Sequence, residues 1–158
     1  MLTPAAEIRS GAGATGPAPA HVMTRTTNDF VHVSQNGAND IVELFPGATS
    51  INRFIPVGNS GESVHPHAHW MSADGNMMVT PNEDGEDSTL YDFPSDSIAA
   101  RTATGHSPIA TGMMPDSSKY YVANFLDNTI SVITNTIAAR TTNACGGGPT
   151  NFMTNSAM

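Results

Sequence analysis

The chain has 158 residues, the size of one domain. Fourteen acidic side chains against six basic ones give a formal charge of −8, so no basic patch exists to neutralise phosphates, which argues against nucleic-acid binding. No apolar run reaches the ~18 residues of a membrane-spanning helix, and a single cysteine, Cys145, excludes an internal disulfide and a cysteine-cluster zinc site.

Taken in chain order, residues 1–18 are rich in Gly, Ala and Pro and lack the apolar core of a secretory signal, so they read as a flexible lead-in. A first unit, about 19–58, begins at Pro19. It holds β-type runs at 30–34 and 41–45 around a turn at 35–40, where Asn36-Gly37 suits a tight hairpin. An outer strand follows at 50–55. A second unit, about 66–102, begins at Pro66. Asp74-Gly75-Asn76 turns into a strand at 77–80. An acidic tip at 82–87 leads to a strand at 88–93, and an outer strand lies at 97–102. The third unit, about 107–141, is the most regular. Strands at 107–114, 119–124, 129–133 and 136–140 are separated by a turn at 115–118, where proline presets φ and Asp116 bonds its own backbone, and by a turn at 126–128. A fourth unit starts at Pro149 and covers 149–153.

These units repeat. Pro19, Pro66, Pro108 and Pro149 open successive copies, and Ile98-Ala99-Ala100-Arg101-Thr102 recurs unchanged as Ile137-Ala138-Ala139-Arg140-Thr141. A period of about 40–50 residues built from short strands signals an all-β chain of propeller blades, each with four antiparallel strands. A closed propeller needs about four to eight blades. Three blades and the start of a fourth therefore predict an incomplete ring or a fragment of a larger, seven-bladed propeller, with the segment 19–158 as its propeller part. The partners expected are a protein, further blades of the same protein, or further copies in a homo-oligomer.

The phrases Pro115-Asp116-Ser117-Ser118-Lys119-Tyr120-Tyr121-Val122-Ala123-Asn124 and Asp127-Asn128-Thr129-Ile130-Ser131-Val132-Ile133 resemble the YVTN family of β-propellers, and the resemblance spans roughly 19–153. It implies an architecture and not an activity, because such blades occur in unrelated proteins. The second unit departs from the phrase at Met77-Met78-Val79-Thr80-Pro81. Its proline predicts an irregular hairpin there.

The densest chemistry lies in Val64-His65-Pro66-His67-Ala68-His69-Trp70-Met71. On a regular strand, His65, His67 and His69 share one face. The repeat places them on the innermost strand, which lines the channel of a propeller. His21 occupies the matching place in the first blade and His106 the place before Pro108 in the third. These five histidines are the candidate metal ligands, and nearby Met71, Met113 and Met114 make copper the ion expected. The competing reading is a water-filled channel whose imidazoles bond solvent or backbone. The acidic tip reads as a solvated hairpin, and Cys145-Gly146-Gly147-Gly148 as a turn between blades. His65-Pro66-His67 with Asp74-Gly75, Val79 and the acidic tip is similar to a blade opening of the propeller lactonases. The channel histidines are similar to those of the amino-terminal propeller of nitrous oxide reductase, whose copper cluster is held by imidazoles. The functional expectation is a binding or scaffold module with a His-lined channel. A copper or redox propeller and a lactonase-like hydrolase are the alternatives. The Thr/Asn/Ser-rich, Lys-poor composition points to a periplasmic or extracellular setting.

Overall fold

A computed structural model of the chain describes residues 17–25, 27–47 and 50–137. Eleven strands and no helix form within them. The first sheet is β1 (Pro19–Thr24), β2 (Val31–Gln35), β3 (Asp40–Leu44) and β4 (Ile51–Pro56). The second is β5 (Trp70–Met71), β6 (Met77–Asn82), β7 (Asp87–Asp92) and β8 (Ser97–Ala103). The third holds β9 (Pro108–Met113), β10 (Lys119–Asn124) and β11 (Thr129–Thr134). Each sheet is an antiparallel meander in chain order, and the sheets do not close into a ring. Of the outer strand expected at 136–140, residues 138–140 lie outside the described residues, as do the blade start at 149–153 and the lead-in as far as residue 16; Ile137 packs against the second core cluster.

The sheets stack face to face, and the apolar residues dictate the stacking. Between the first and second, Ile41, Ile55, Val57, Val64, Met71, Met78, Tyr91 and Phe93 form one buried cluster. Between the second and third, Met77, Val79, Leu90, Tyr120 and Val122 form another. Neighbours Met77, Met78 and Val79 thus point alternately into the two clusters, as pleated side chains must. A sheet covered on both faces cannot expose any residue of its central strand, and all six residues of β6 are buried.

The turns repeat as the sequence predicts. Asp74 Oδ1 accepts from the Asn76 amide (3.0 Å), and Asp116 Oδ1 from the Ser118 amide (3.0 Å). Gly75 has φ +68°, and a Cβ there would meet Thr27 Oγ1 at 2.6 Å. Its carbonyl accepts Arg25 Nε–H at 2.6 Å, which ties the first sheet to the second.

Several non-glycine residues adopt the left-handed region, and the strain is clearest at one hairpin tip. Glu86 and Asn128 close their hairpin tips at φ 50° and 55°. Asparagine tolerates the left-handed region, whereas glutamate pays about 1–2 kcal/mol for it. Glu86 adds only a 3.8 Å contact to exposed His106. Glu86→Gly is therefore expected to raise the melting temperature by roughly 2–4 °C, read by thermal denaturation.

Pro81 does not break its hairpin. It pairs with Ser88 inside β6, and the irregularity falls on the inner side instead. Pro66 bridges Asn82, while Trp70 pairs with Val79. Three residues of the inner segment therefore face two of β6, a one-residue bulge. The Pro81 carbonyl accepts the His67 amide (3.1 Å), but Pro81 has no N–H to return. The His67 carbonyl is taken by the Ser34 hydroxyl of the first sheet.

Candidate functional site

The bulge corrects the expectation that His65, His67 and His69 share a strand face. His65 sits at φ 52° outside any strand. Its Nε2 lies 2.7 Å from Ser63 Oγ and its Nδ1 3.6 Å from Asp84. His106 is exposed and paired with Asp127 (2.8 Å), a bond that raises its pKa, helped by the charges of Asp127 and Glu86. These two histidines lie in the connections between sheets, beside the hairpin tips that carry Asp84 and Asp127, and are not part of the inner cluster.

His21, His67 and His69 do come together, at the inner ends of the first two sheets. His69 is fully buried. Its Nδ1 lies 3.4 Å from His21 Nδ1, with the rings edge to face at 4.8 Å between centroids. Ser34 fixes this arrangement from β2. Its hydroxyl oxygen accepts the His21 amide at 3.0 Å while donating to the His67 carbonyl. A single hydroxyl thereby locks β1 against the bulge. Burial, reinforced by the nearby His67, lowers the His21 pKa. For His69, burial together with the charges of His21 and His32 brings it down to about 3. At neutral pH the buried ring carries no charge. Its Nε2 makes no hydrogen bond of good geometry.

Behind this cluster stands a polar core that sequence reasoning missed. His32 on β2 is fully buried, 6.5 Å centroid to centroid from His69 and 5.4 Å from Phe93. Its Nε2 donates to Glu43 Oε2 at 2.9 Å. Glu43 Oε1 accepts Asn52 Nδ2 (2.6 Å) and Arg53 Nε (2.8 Å). Burial would raise the Glu43 pKa, but the donors His32, Arg53 and Asn52 outweigh it and bring it down to about 2. Arg53 reaches on to Asp96, which also accepts the Tyr91 hydroxyl at 2.6 Å. The signal was present in the hairpin register. A turn centred on Asn36-Gly37 sets His32 opposite Glu43, and both fall on the face toward the second sheet.

The acidic tip is less solvated than its composition suggests. Glu83 accepts Asn36 Nδ2 at 2.9 Å and Ser107 Oγ at 3.2 Å, so one carboxylate joins all three sheets at their tips. Asn82 donates to Asp87 at 2.6 Å. Of the soft ligands, Met71 is packed in the first core cluster and Met113 against the second. Among the described residues, no group of three or more His, Cys, Asp or Glu gathers closely enough to hold a metal ion unaided. Among them, too, no helix is long and apolar enough to cross a membrane.

No protein-family model matches the chain, and no curated protein does. Solved structures do. Hydrazine synthase of Kuenenia stuttgartiensis superposes with a TM-score of 0.65 at 20% identity, over 75% of this chain and 33% of its own. A putative 6-phosphogluconolactonase of Bacteroides fragilis gives a TM-score of 0.65 at 13% identity, over 77% of this chain and 37% of its own. Another from Bacteroides uniformis gives 0.65 at 10%, over 85% and 40%. These neighbours are of the β-propeller type, and the chain is a set of propeller blades. It spans 33–40% of the length of the solved chains it matches.

Proposed function

We propose that the chain is a propeller binding module of the YVTN type, set outside the cytoplasm, and that the His21–His69 pair is its ligand site, with His67 at the rim. The observation that carries this is the 3.4 Å separation of the two Nδ1 atoms. That is longer than an ordinary N–H hydrogen bond. It matches the roughly 3.3–3.4 Å between two imidazole nitrogens bound at ~2.0–2.1 Å on one tetrahedral ion. Both rings have depressed pKa values, so each favours the neutral form, which has one nitrogen lone pair to offer an ion. The ion class is therefore tetrahedral and imidazole-preferring, with zinc or copper(I) as its members. A square-planar copper(II) site would set adjacent nitrogens closer, at about 2.8 Å. Of the thioethers that favoured copper from sequence, Met71 and Met113 are engaged in core packing. Two protein ligands leave the remaining positions to water or to a bound molecule's own donor atoms, which suits a binding site open at one side.

Zinc titration followed by calorimetry tests the reading. His21→Ala and His69→Ala should each weaken binding at least tenfold, and His106→Ala should leave it unchanged. Equal affinity in all four proteins would remove the site. A lactonase-like hydrolase is the second reading, favoured by the fold of two neighbours and by the buried His32–Glu43 pair. A phosphorylated lactone would need a cation. Arg25 is stacked on Phe93 at 3.9 Å, Arg53 is held by Glu43 and Asp96, and Arg101 by Glu62 and Asp87. Lactone turnover that persists in His32→Ala would remove this second reading.

A further inference from the structure

All three sheets carry one polar device at the tip of their central hairpin, and the first sheet has it incomplete. In the second sheet Asn82 ends β6, and its Nδ2 donates at 2.6 Å to Asp87, which begins β7 five residues on. In the third sheet Asn124 Nδ2 donates at 3.0 Å to Thr129 with the same spacing. The matching residues of the first sheet are Gln35, which ends β2, and Asp40, which begins β3. They make no such bond. Gln35 is fully buried with both amide atoms unpartnered, and Asp40 Oδ1 is buried without a hydrogen-bond partner.

A cation is missing from the first sheet as well. Asp87 is also held by Arg101, whose Nη2 lies 2.6 Å from it. Arg101 stands on β8 opposite Thr89, two residues beyond Asp87. The residue opposite Val42, two beyond Asp40, is Phe54 on β4. The first sheet thus keeps the carboxylate and has a ring where the second has a guanidinium. Among the described residues no arginine makes up the loss. Arg25 is bound to the Gly75 carbonyl and stacked on Phe93, and Arg53 is held by Glu43 and Asp96. A carboxylate removed from water without a cation is costly, and burial raises the pKa of Asp40.

A cavity of about 460 Å³ opens at this point, bounded by Asn39, Asp40, Phe54, Pro56 and the loop 58–61. Val42, at the centre of the sheet face, is covered, but the cavity lies beyond it, where Phe54 is 50% exposed and Asn59, Ser60 and Gly61 are exposed too. A planar guanidinium can pair with a carboxylate through two N–H groups and still lie against an aromatic face. We propose that this cavity binds a guanidinium group between Asp40 and Phe54, in the place that Arg101 takes in the second sheet. The group comes from an arginine side chain of another protein or from a small guanidino compound, and the same contacts recognise both.

Titration of the ¹⁵N-labelled full chain with methylguanidinium, followed by NMR, is the test. Saturable shifts are expected at the amides of Asn39, Asp40, Asn59 and Gly61. Methylurea, which has nearly the same shape and no charge, should produce none. Asp40→Asn keeps the side-chain volume and should weaken binding at least tenfold without lowering the melting temperature. Phe54→Arg supplies the chain's own guanidinium, as in the second sheet, and should abolish binding. An acetylated, amidated arginine that binds at least tenfold tighter than methylguanidinium identifies a protein source, and equal affinity identifies a small guanidino compound; either result supports the site. A parent with no saturable shift, equal binding of methylurea, or parent-like affinity in Asp40→Asn or in Phe54→Arg would overturn the proposal.

Discussion

Glu43→Ala is expected to destabilise the fold by about 3–5 kcal/mol, the cost of removing one partner from a buried ionic network. At this chain length that lowers the melting temperature by roughly 6–20 °C. The substitution does more than delete a carboxylate. It leaves the Arg53 guanidinium, the Asn52 amide and the His32 Nε2–H without their acceptor. His32 suffers most, because its ring is fully buried and its Nδ1 already lacks a partner. Glu43→Gln keeps one acceptor oxygen and the side-chain volume, so it should fall between the parent and the alanine variant. Equal melts for the parent and Glu43→Ala would show that the network contributes nothing net to stability.

The same residues set an acid limit in two stages. His69 has its folded pKa lowered to about 3 by burial and by His21 and His32, below the ordinary histidine value of 6.5. The unfolded chain therefore takes up a proton at that ring before the folded chain does. Its contribution is fully present above about pH 6.5 and is lost as pH falls toward 3. Glu43 acts lower down. Its contribution is present above the unfolded value of 4.5 and is lost as pH falls through about 2. Exposed His106 has the opposite sign, since its raised pKa favours the folded state below about 6.5 and loses that effect as pH rises. Stability should thus begin to fall below about pH 6.5, and the uptake of one proton gives a slope of about 1.4 kcal/mol per pH unit. His69→Leu should make the limb between pH 6.5 and 4.5 shallower, leaving there the part due to His21, and should leave the loss below about pH 3 to Glu43.

The repeat makes most of the fold legible before any coordinates. The outer strand read at 97–102 is β8, Ser97–Ala103, and the hairpin read around Asn36-Gly37 is β2 and β3 with the expected turn between them. What fails is local and has a physical cause. Strand alternation does not hold through His65-Pro66-His67-Ala68-His69, because the partner strand offers a proline there. Without the Pro81 N–H the ladder cannot run regularly, so a residue bulges and the three histidines part company. Only a cross-strand view exposes that, because the cause lies on β6 and not on the segment that carries His67. The buried His32–Glu43 pair escapes a sequence reading for a different reason. Single polar residues inside apolar strands resemble the solvent face of an alternating pattern. Their sign reverses only once the blade is known to be covered on that side.

Tyr120 separates packing from hydrogen bonding at the second interface. The ring is 1% exposed and clusters with Met77, Val79 and Leu90. Tyr120→Ala should remove about 3–5 kcal/mol by opening a cavity between two rigid sheets, which have little freedom to collapse into it. Tyr120→Phe keeps the ring and deletes only the hydroxyl, at about 0.5–1.5 kcal/mol. The smaller value is expected because Ser88 is not stranded. Its hydroxyl has the Thr102 carbonyl as a second partner at 3.4 Å. Ser88→Ala in the Tyr120→Phe background should then add little, while in the parent it costs about as much as Tyr120→Phe itself. Additive losses in chemical denaturation would mean that the two hydroxyls do not bond each other. The second and third sheets would then be held by their apolar faces alone.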